Sequence, residues 1–294
     1  MRVLLLLSGA LRGFEHCPPM ERLLSCGSCE IFTDVVTYTH SDPASPIMLG
    51  RLSAGVYSSV HTSPVDSWEP LDQEHLRQRF GATHFDFHSP PPENSSHYSN
   101  SSRFSRLFMA GRTFNPVRLV SQWRLRAEAI GRIAAHPNID VVVLTRPDLC
   151  ITHGNKSISL SLDGRGTPVL TLPGANKAVA AHGSLVRLES NKSIVVLSST
   201  RPGEHTPDDV LFIGLPAAIR RLAPFPQFLT NVPGGFISDP TPEAALKHYL
   251  RLQGITPIYV ASRANLGIIL SKSKSSPMPN SSASLLPGVV ATRV

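Results

Sequence analysis

The sequence predicts an α/β protein: a single domain with a mostly parallel central sheet, helices on both faces and loop-rich insertions. Three apolar runs that lead into polar residues have the pattern of buried parallel strands, namely Val3 to Leu7, Ile31 to Thr39 and Ile139 to Thr145. A helical pattern beginning at Pro116 lies between the second and third runs. Because strand, helix and strand in this order require a crossover connection, the sheet is expected to be parallel.

Composition narrows the class of protein further. The chain has 294 residues, enough to bury a substantial core, and 41% of them are hydrophobic. Charged residues make up 17%, below the roughly 25% of ordinary soluble domains. The net charge of +7 therefore reflects scarce acids more than abundant bases, and it does not indicate a nucleic-acid partner. The 20 glycines and 26 prolines predict long loops and disfavour a helical bundle.

The amino-terminal apolar run has two interpretations. It resembles the core of a secretory signal, because it follows Met1-Arg2 and precedes small residues. It is short for that purpose and Arg12 follows almost at once, so we interpret it as the first buried strand. No stretch reaches the roughly 18 to 20 apolar residues of a membrane span. The prediction is a soluble cytoplasmic protein without a transmembrane segment, with a secretory location left open.

The helix that begins at Pro116 has consistent start and stop signals. Asn115 is a suitable N-cap, proline fits the first helical position, and Pro137 follows the end. Apolar residues recur at helical spacing through it: Leu119, Val120, Trp123, Ala127, Ile130 and Ala134. Its arginines are interpreted as a solvated face, since no aromatic residues interleave with them: Arg118, Arg124, Arg126 and Arg132.

The second half of the chain contains shorter elements. Two β-like runs, at 169–172 and 194–197, are predicted to form an antiparallel extension or flap. The remaining predictions are a strand at 209–214, a helix at 215–222, a helix from Thr241 to Gly254 and a strand at 258–261. We place one domain at 1–270, with a loop-rich insertion at 41–112. Residues 271–294 are rich in Ser, Pro and Lys and are predicted to be a disordered tail.

Two local patterns raise the question of metal or redox chemistry. Cys26 and Cys29 have the spacing of a redox motif, but no second pair completes a zinc site, and a structural or incidental role is favoured. His84, Asp86 and His88 would share one face of a strand, which suits metal ligation. The alternative for these three residues is a half-exposed edge strand.

Polar residues after the first and third strands form the main candidate site, since ligands bind beyond the carboxyl ends of parallel strands. Ser8, Gly9 and Arg12 offer a hydroxyl, a turn with free backbone N–H groups and a guanidinium, which suit a diphosphate. The alternative is an ordinary turn with a solvated arginine. Arg146 and Asp148 offer a cation for phosphate and a carboxylate for a metal or ribose. Their alternative is an ion pair with each other.

A third pair of acids precedes the run at 209–214. Asp208 and Asp209 are adjacent, and one of them would serve as a base or a metal ligand. The alternative is that they cap a helix or strand.

The order of these motifs resembles a known family. The chain has Ser-Gly-x-x-Arg at 8–12, then Arg-Pro-Asp-Leu at 146–149, and then Asp-Asp-x-x-Phe-x-Gly at 208–214. In this order they resemble the glycosyltransferases akin to the WavE-type lipopolysaccharide-synthesis proteins, in which an Arg-Thr/Pro-Asp-Leu motif precedes an Asp-x-Phe-x-Phe-Gly-like motif. The resemblance covers roughly residues 1–40 and 115–263.

This resemblance implies a GT-A-like, Rossmann-like fold and a role in polysaccharide biosynthesis. The implied activity moves a hexose or pentose from a nucleotide-sugar donor to a glycan or glycoconjugate acceptor. Asp148 would lie where such enzymes bind Mn²⁺ or Mg²⁺, and Asp209, with Asp208 beside it, would act on the acceptor. The residues implied at the donor are Ser8, Gly9, Arg12, Arg146 and Asp148.

The sequence departs from the GT-A pattern in one respect, because it contains no Asp-x-Asp motif. This departure leaves metal dependence and activity open. The alternatives are a catalytically inactive glycosyltransferase-like binding protein, or another phosphate-ligand transferase such as a sulfotransferase.

Overall fold

A seven-stranded sheet organises the part of the chain that the computed structural model describes. The described residues are 1–11, 24–41, 69–90, 116–151, 158–171, 185–198, 207–231, 242–262 and 268–270. The strands are β1 (Arg2–Ser8), β2 (Leu24–Ser25), β3 (Glu30–Tyr38), β4 (His40–Ser41), β5 (Glu69–Pro70), β6 (His84–His88), β7 (Val141–Thr145), β8 (Leu149–Ile151), β9 (Ile158–Leu162), β10 (Pro168–Thr171), β11 (Leu185–Arg187), β12 (Ser193–Ser198), β13 (Pro207–Gly214), β14 (Thr256–Ser262) and β15 (Ile268–Leu270). The α-helices are α1 (Gln73–Phe80), α2 (Pro116–Gly131), α3 (Pro216–Arg220), α4 (Phe225–Asn231) and α5 (Pro242–Leu252), and a 3₁₀ turn, Arg132–Ala135, follows α2.

The strand order of the large sheet is β14-β12-β13-β7-β1-β3-β6. Strand β13 runs antiparallel to both of its neighbours, and the other four pairings are parallel. From β1 the chain first builds the sheet outward through β3 and β6, and it then returns to the other side of β1 with β7. The order therefore reverses between β1 and β7. The predicted α/β class and mostly parallel sheet are confirmed.

Strand β1 is apolar from residue 3 to residue 7, as expected where both faces of a sheet are covered. Leu4 and Leu6 pack into one hydrophobic cluster, whereas Val3, Leu5 and Leu7 pack into a second cluster on the opposite face. All five side chains are 1% exposed or less. The continuous apolar run predicted a central strand, and its residues are in fact buried on both faces of the sheet.

The two faces are covered differently. Helices α2 to α5 cover the face of Leu4 and Leu6, where Trp123 of α2 packs against Phe212 and Phe225. The opposite face is covered by α1 and by a four-stranded sheet of order β11-β10-β9-β2. Helices on both faces were predicted, but the second face carries mostly strands. The apolar side of this small sheet packs against the central sheet through Leu160, Leu170 and Val186.

One strand prediction is wrong in its placement. The run at 194–197 was expected in an antiparallel flap, but it forms the middle of β12 within the central sheet. Strand β12 pairs in parallel with β14 and antiparallel with β13. Ile194 to Leu197 are all buried, as a central strand requires. The run at 169–172 does fall in an antiparallel extension, because β10 pairs antiparallel with β9 and β11.

The predicted loop-rich insertion at 41–112 also contains regular structure. Within it α1 begins after Asp72, whose carboxylate accepts hydrogen bonds from the backbone N–H groups of Glu74 and His75. The helix buries Leu76 and Phe80 against the sheet, and β6 then pairs in parallel with β3 as the edge strand. The predicted caps Asn115 and Thr241 and the predicted tail at 271–294 lie outside the described residues.

Cys26 and Cys29 form a disulfide in the turn between β2 and β3. A thioredoxin-like site would need this motif at the start of a helix, which is not its position here. Within the described ranges, no helix is long and apolar enough to cross a membrane.

The turn after β1 depends on a glycine, which generates the first test. Gly9 has φ +133°, a region that L side chains rarely adopt. Gly9→Ala is expected to lower the free energy of unfolding by about 1–3 kcal/mol, the cost of a strained backbone position. The measurement is urea denaturation. Gly164→Ala is the matched control, because a Cβ at Gly164 meets open space, and its effect should stay within about 0.5 kcal/mol. Equal effects of the two variants would contradict the assignment of strain to Gly9.

A buried tyrosine between the helices predicts a loss of stability at alkaline pH. Burial raises the pKa of Tyr249 to about 12, and its hydroxyl donates a hydrogen bond to the carbonyl oxygen of Arg221 at 2.6 Å. The unfolded chain ionises this tyrosine near pH 10, so the stabilisation is complete below about pH 10 and is lost as the pH rises toward about 12. At about pH 11 the loss is expected to be about 1 kcal/mol.

Tyr249→Phe isolates this contribution. Below about pH 10 the variant should be less stable than the wild type by about 1 kcal/mol, because it lacks the hydrogen bond. The difference should shrink between about pH 9 and about pH 11, as measured by urea denaturation at each pH. A difference that is constant over this interval would show that Tyr249 does not titrate as its burial requires.

Candidate functional site

The carboxyl ends of β1 and β7 meet at the point where the strand order reverses. The two strands are neighbours in parallel register, with Leu7 opposite Thr145. Beyond them, a Cβ built on Gly9 would lie 3.8 Å from Cδ of Pro147. The two predicted loops, Ser8-Gly9 and Arg146-Pro147-Asp148, are therefore side by side. In open α/β sheets this position is the usual ligand crevice.

Strand β13 brings an acidic residue to the same edge. Because β13 is antiparallel, its amino end lies beside the carboxyl end of β7, with Leu211 opposite Thr145. The hydroxyl of Thr145 donates a hydrogen bond to the carbonyl oxygen of Val210 at 3.0 Å. Asp209 precedes Val210, so it reaches the edge occupied by Pro147 and Gly9. A parallel strand would have placed it at the opposite edge of the sheet.

Arg146 and Asp148 form a two-point ion pair. Nε of Arg146 donates to Oδ1 of Asp148 at 2.8 Å, and Nη2 donates to Oδ2 at 2.7 Å. The side chains are 10% and 1% exposed, so water screens the pair little. The ion pair between Arg146 and Asp148, which the sequence analysis gave as the alternative to ligand binding, is therefore present in the structure. It still leaves a guanidinium, a multiple donor, at the sheet edge where a ligand would bind.

Ser8 and Gly9 contribute differently from what the sequence predicted. The N–H of Gly9 donates to the carbonyl oxygen of Val36 at 3.2 Å, so it is not a free donor for a phosphate. The carbonyl oxygen of Gly9 accepts from the hydroxyl of Thr37 at 2.8 Å. Ser8 is fully buried, and its Oγ has no hydrogen-bond partner among the described residues. A buried hydroxyl without a partner is costly unless a ligand supplies one.

Arg126 is a site residue that the sequence analysis missed. Its interpretation as solvated is wrong, because it is 0% exposed. The guanidinium lies 4.3 Å from the ring centroid of Trp123. Its Nη2 donates to the carbonyl oxygen of Asp209 and lies 3.6 Å from Oδ2 of the same residue. The signal was present in the spacing, since position 126 follows Leu119 by seven residues and Trp123 by three, on the apolar stripe of the helix.

The structure thus brings most of the predicted site residues to one edge of the sheet. Those with described surroundings are Ser8, Gly9, Arg146, Asp148 and Asp209. Arg12 lies outside the described residues, as does the side chain of Asp208. The roles assigned to all seven remain predictions.

The described residues offer metal ligands at a different place. Both carboxylate oxygens of Asp148 accept from Arg146, an arrangement that does not fit a metal ligand. A group that could hold a metal ion comprises the buried Asp34 and His136 and the exposed His84. The sequence placed His84, Asp86 and His88 on one face of a strand, and the register of β6 against β3 agrees. The second histidine of the group, however, follows α2 instead of lying on β6.

No protein-family model matches the chain, and no curated protein matches it. The function is therefore argued from the site. The carboxyl edge of the sheet brings together a buried hydroxyl, a guanidinium and an acidic side chain, a set suited to an anionic ligand and to accepting a proton.

The link between Arg126 and Asp209 generates a stability test. Arg126→Ala leaves Asp209 without this ionic contact and opens a cavity beside Trp123. We expect the free energy of unfolding to fall by about 3 kcal/mol, as when one partner of a buried ion pair is removed. Urea denaturation measures it. Arg124→Ala is the matched control on the exposed side of the same helix, with an expected loss under about 1 kcal/mol. Similar losses in both variants would restore the interpretation of Arg126 as a surface residue.

Proposed function

We propose that the chain is a glycosyltransferase that binds a nucleoside-diphosphate sugar at the carboxyl edge of its sheet and transfers the sugar to a glycan or glycoconjugate acceptor. One observation carries the proposal: three different strand ends bring Ser8, Arg146 and Asp209 to the edge of the sheet where the strand order reverses. This is the position at which nucleotide ligands bind in open α/β sheets. The mostly parallel sheet and the order of the motifs support the proposal of a GT-A-like fold.

The donor half of the site suits a diphosphate. A diphosphate oxygen would accept a hydrogen bond from Oγ of Ser8, which has no partner among the described residues. Arg146 would supply positive charge to the departing nucleoside diphosphate. Charge-assisted hydrogen bonds of this kind are about twice as strong as neutral ones. The excess of seven positive charges over the chain favours the approach of such an anion.

The acceptor half of the site depends on Asp209. Its side chain is 23% exposed, so an acceptor hydroxyl in the crevice can reach it. In the proposed transfer, the acceptor oxygen bonds to the anomeric carbon as the bond from that carbon to the diphosphate oxygen breaks. The proton of the hydroxyl passes to the carboxylate of Asp209. Arg126 acts as a positioning residue, because it holds Asp209 by its main chain and its carboxylate.

No step in this mechanism passes through a divalent cation. The role of Asp148 as a ligand for Mn²⁺ or Mg²⁺ stays a prediction of the resemblance, and its engagement by Arg146 does not support it. Arg146 can itself stabilise the leaving diphosphate, as preorganised cations do at developing negative charge. Titration of UDP and GDP with and without Mn²⁺ therefore distinguishes the two roles.

A second candidate is a catalytically inactive relative that binds the nucleotide without turnover. The observation that favours it is the same ion pair, because Arg146 and Asp148 already neutralise each other. The sulfotransferase alternative has less support, since the loop after β1 lacks the expected glycine- and serine-rich sequence.

Nucleotide binding by the full chain tests the proposal. UDP and GDP, with and without Mn²⁺, are titrated calorimetrically, with adenosine 3′,5′-bisphosphate for the sulfotransferase alternative. We expect UDP or GDP to bind, and Ser8→Ala to weaken binding about tenfold, as loss of a charge-assisted hydrogen bond requires. Ser28→Ala is the control, because Ser28 is exposed in the distant turn of the disulfide.

Each outcome has a defined meaning. Failure of both nucleotides to bind, or equal binding by wild type and Ser8→Ala, would overturn this assignment of the site. Binding of the bisphosphate alone would favour the sulfotransferase. Release of nucleoside diphosphate from a bound UDP- or GDP-sugar, lost in Asp209→Asn, supports a transferase. Binding without any release supports the inactive relative.

A further inference from the structure

A second polar cluster lies in the sheet away from the donor crevice, on strands β3 and β6. Asp34 is in the middle of β3, His84 is opposite it on the edge strand β6, and His136 follows the 3₁₀ turn after α2. We propose that Asp34, His84 and His136 bind one Zn²⁺ ion. The ion would tie the edge strand and the end of α2 to β3.

The three side chains already converge. Nε2 of His136 lies 2.8 Å from Oδ2 of Asp34, and the ligand atoms of all three residues lie within 4.8 Å of one another. The imidazole rings of His84 and His136 meet edge to face, with centroids 5.5 Å apart. Ligands on zinc bonds of 2.0–2.1 Å are about 3.4 Å apart in tetrahedral geometry. Zinc binding therefore brings His84 closer, since its exposed side chain is able to turn. It also moves Nε2 of His136 away from Oδ2 of Asp34, and Nε2 gives up the proton of that hydrogen bond as the ion binds.

The burial of Asp34 points to a cation. Asp34 is 0% exposed, and its Oδ1 is buried with no hydrogen-bond partner in the described ranges. Leaving such an oxygen unsatisfied is costly, whereas a bound cation removes the cost. His136 is also buried, at 8% exposure. The buried pair thus has an unused ligand atom, and the exposed His84 provides the route by which an ion would enter.

The ligand types select the metal. Two neutral imidazoles and one carboxylate are a common zinc set, and they leave a fourth position for water on the exposed side. Mg²⁺ and Ca²⁺ prefer sites made of oxygen ligands alone, which this group does not provide. The proposed ion is therefore Zn²⁺, and it is separate from the Mn²⁺ or Mg²⁺ that the family resemblance implies at Asp148.

One nearby cation must be accommodated. Nε of Arg132 lies 3.8 Å from Oδ2 of Asp34 but only 3.3 Å from Oδ2 of Asp86, so its nearer partner lies outside the ligand group. With Asp34, Asp86 and Arg132 charged, the cluster carries a net charge of −1 before the ion binds. Arg132 can keep its ion pair with Asp86 while the carboxylate of Asp34 faces the metal.

Zinc titration of the full chain tests the proposal. The protein is first freed of metal by chelation and dialysis, then titrated calorimetrically with Zn²⁺ alone. Co²⁺ in parallel gives the visible absorption of a tetrahedral site. We expect one Zn²⁺ per chain, with the affinity lowered at least about 100-fold in His84→Ala, since even residues that only support ligands are worth 10- to 100-fold. His84 is exposed, so this variant is expected to fold.

The controls separate a specific site from weak surface binding. His75→Ala removes an exposed histidine from α1 and should bind zinc as the wild type does. Absence of stoichiometric zinc binding, or equal affinities of His84→Ala and wild type, would overturn the proposal and leave Asp34 and His136 as a buried polar pair. Failure of the nucleotide experiment would not bear on this result, because the two sites share no residue.

Discussion

The parallel pairing of β1 with β7 is the contact on which the candidate site depends. These strands are far apart in the sequence, yet residues 3–7 lie in register with 141–145. Because both strands are buried on both faces, a slip of one residue would move every side chain to the wrong side of the sheet. The register therefore holds Ser8 and Gly9 beside Arg146 and Pro147. The positions of the polar residues follow from the packing of the apolar ones.

The antiparallel strand β13 adds the acidic component of the site. It is the one strand of the large sheet that runs against its neighbours, and so its amino end reaches the carboxyl edge of β7. Arg126 then fastens this end to α2 through Asp209. A fully buried guanidinium requires compensation for lost hydration, which contacts with Asp209 and the ring of Trp123 contribute. The core and the site are thus physically continuous at this helix.

Among the described residues, the pair of Arg146 with Asp148 and the pair of Asp34 with His136 are both buried, and they differ in how their charges are satisfied. Arg146 and Asp148 match donor to acceptor at two points, a closed arrangement that positions a cation at the crevice. Asp34 accepts from His136 through one oxygen, while its other oxygen has no hydrogen-bond partner within the described residues. Buried polar groups are usually satisfied. This contrast is the reason that we propose the first pair as a charged element of the donor site and the second as the place where an ion binds.

The sequence by itself determined the elements and many of their ends. Continuous apolar runs marked β1, β3 and β7, and proline with helical spacing marked α2, because local patterns report burial and backbone conformation. The polar residues that follow the strands indicated which edge of the sheet carries the candidate site, because the carboxyl ends of parallel strands share an edge. These inferences need only neighbouring residues and the general rules of parallel sheets.

Only the tertiary structure decided which surfaces meet. Strand β12 resembled a flap strand until its neighbours β13 and β14 were known, and Arg126 resembled a surface residue until Asp209 was seen beside it. Asp34 and His136 are 102 positions apart, and no local pattern links them. The sequence shows which side chains are charged. The partner that offsets the cost of burying such a charge lies on another strand or helix. That partner is chosen by packing over the whole sheet.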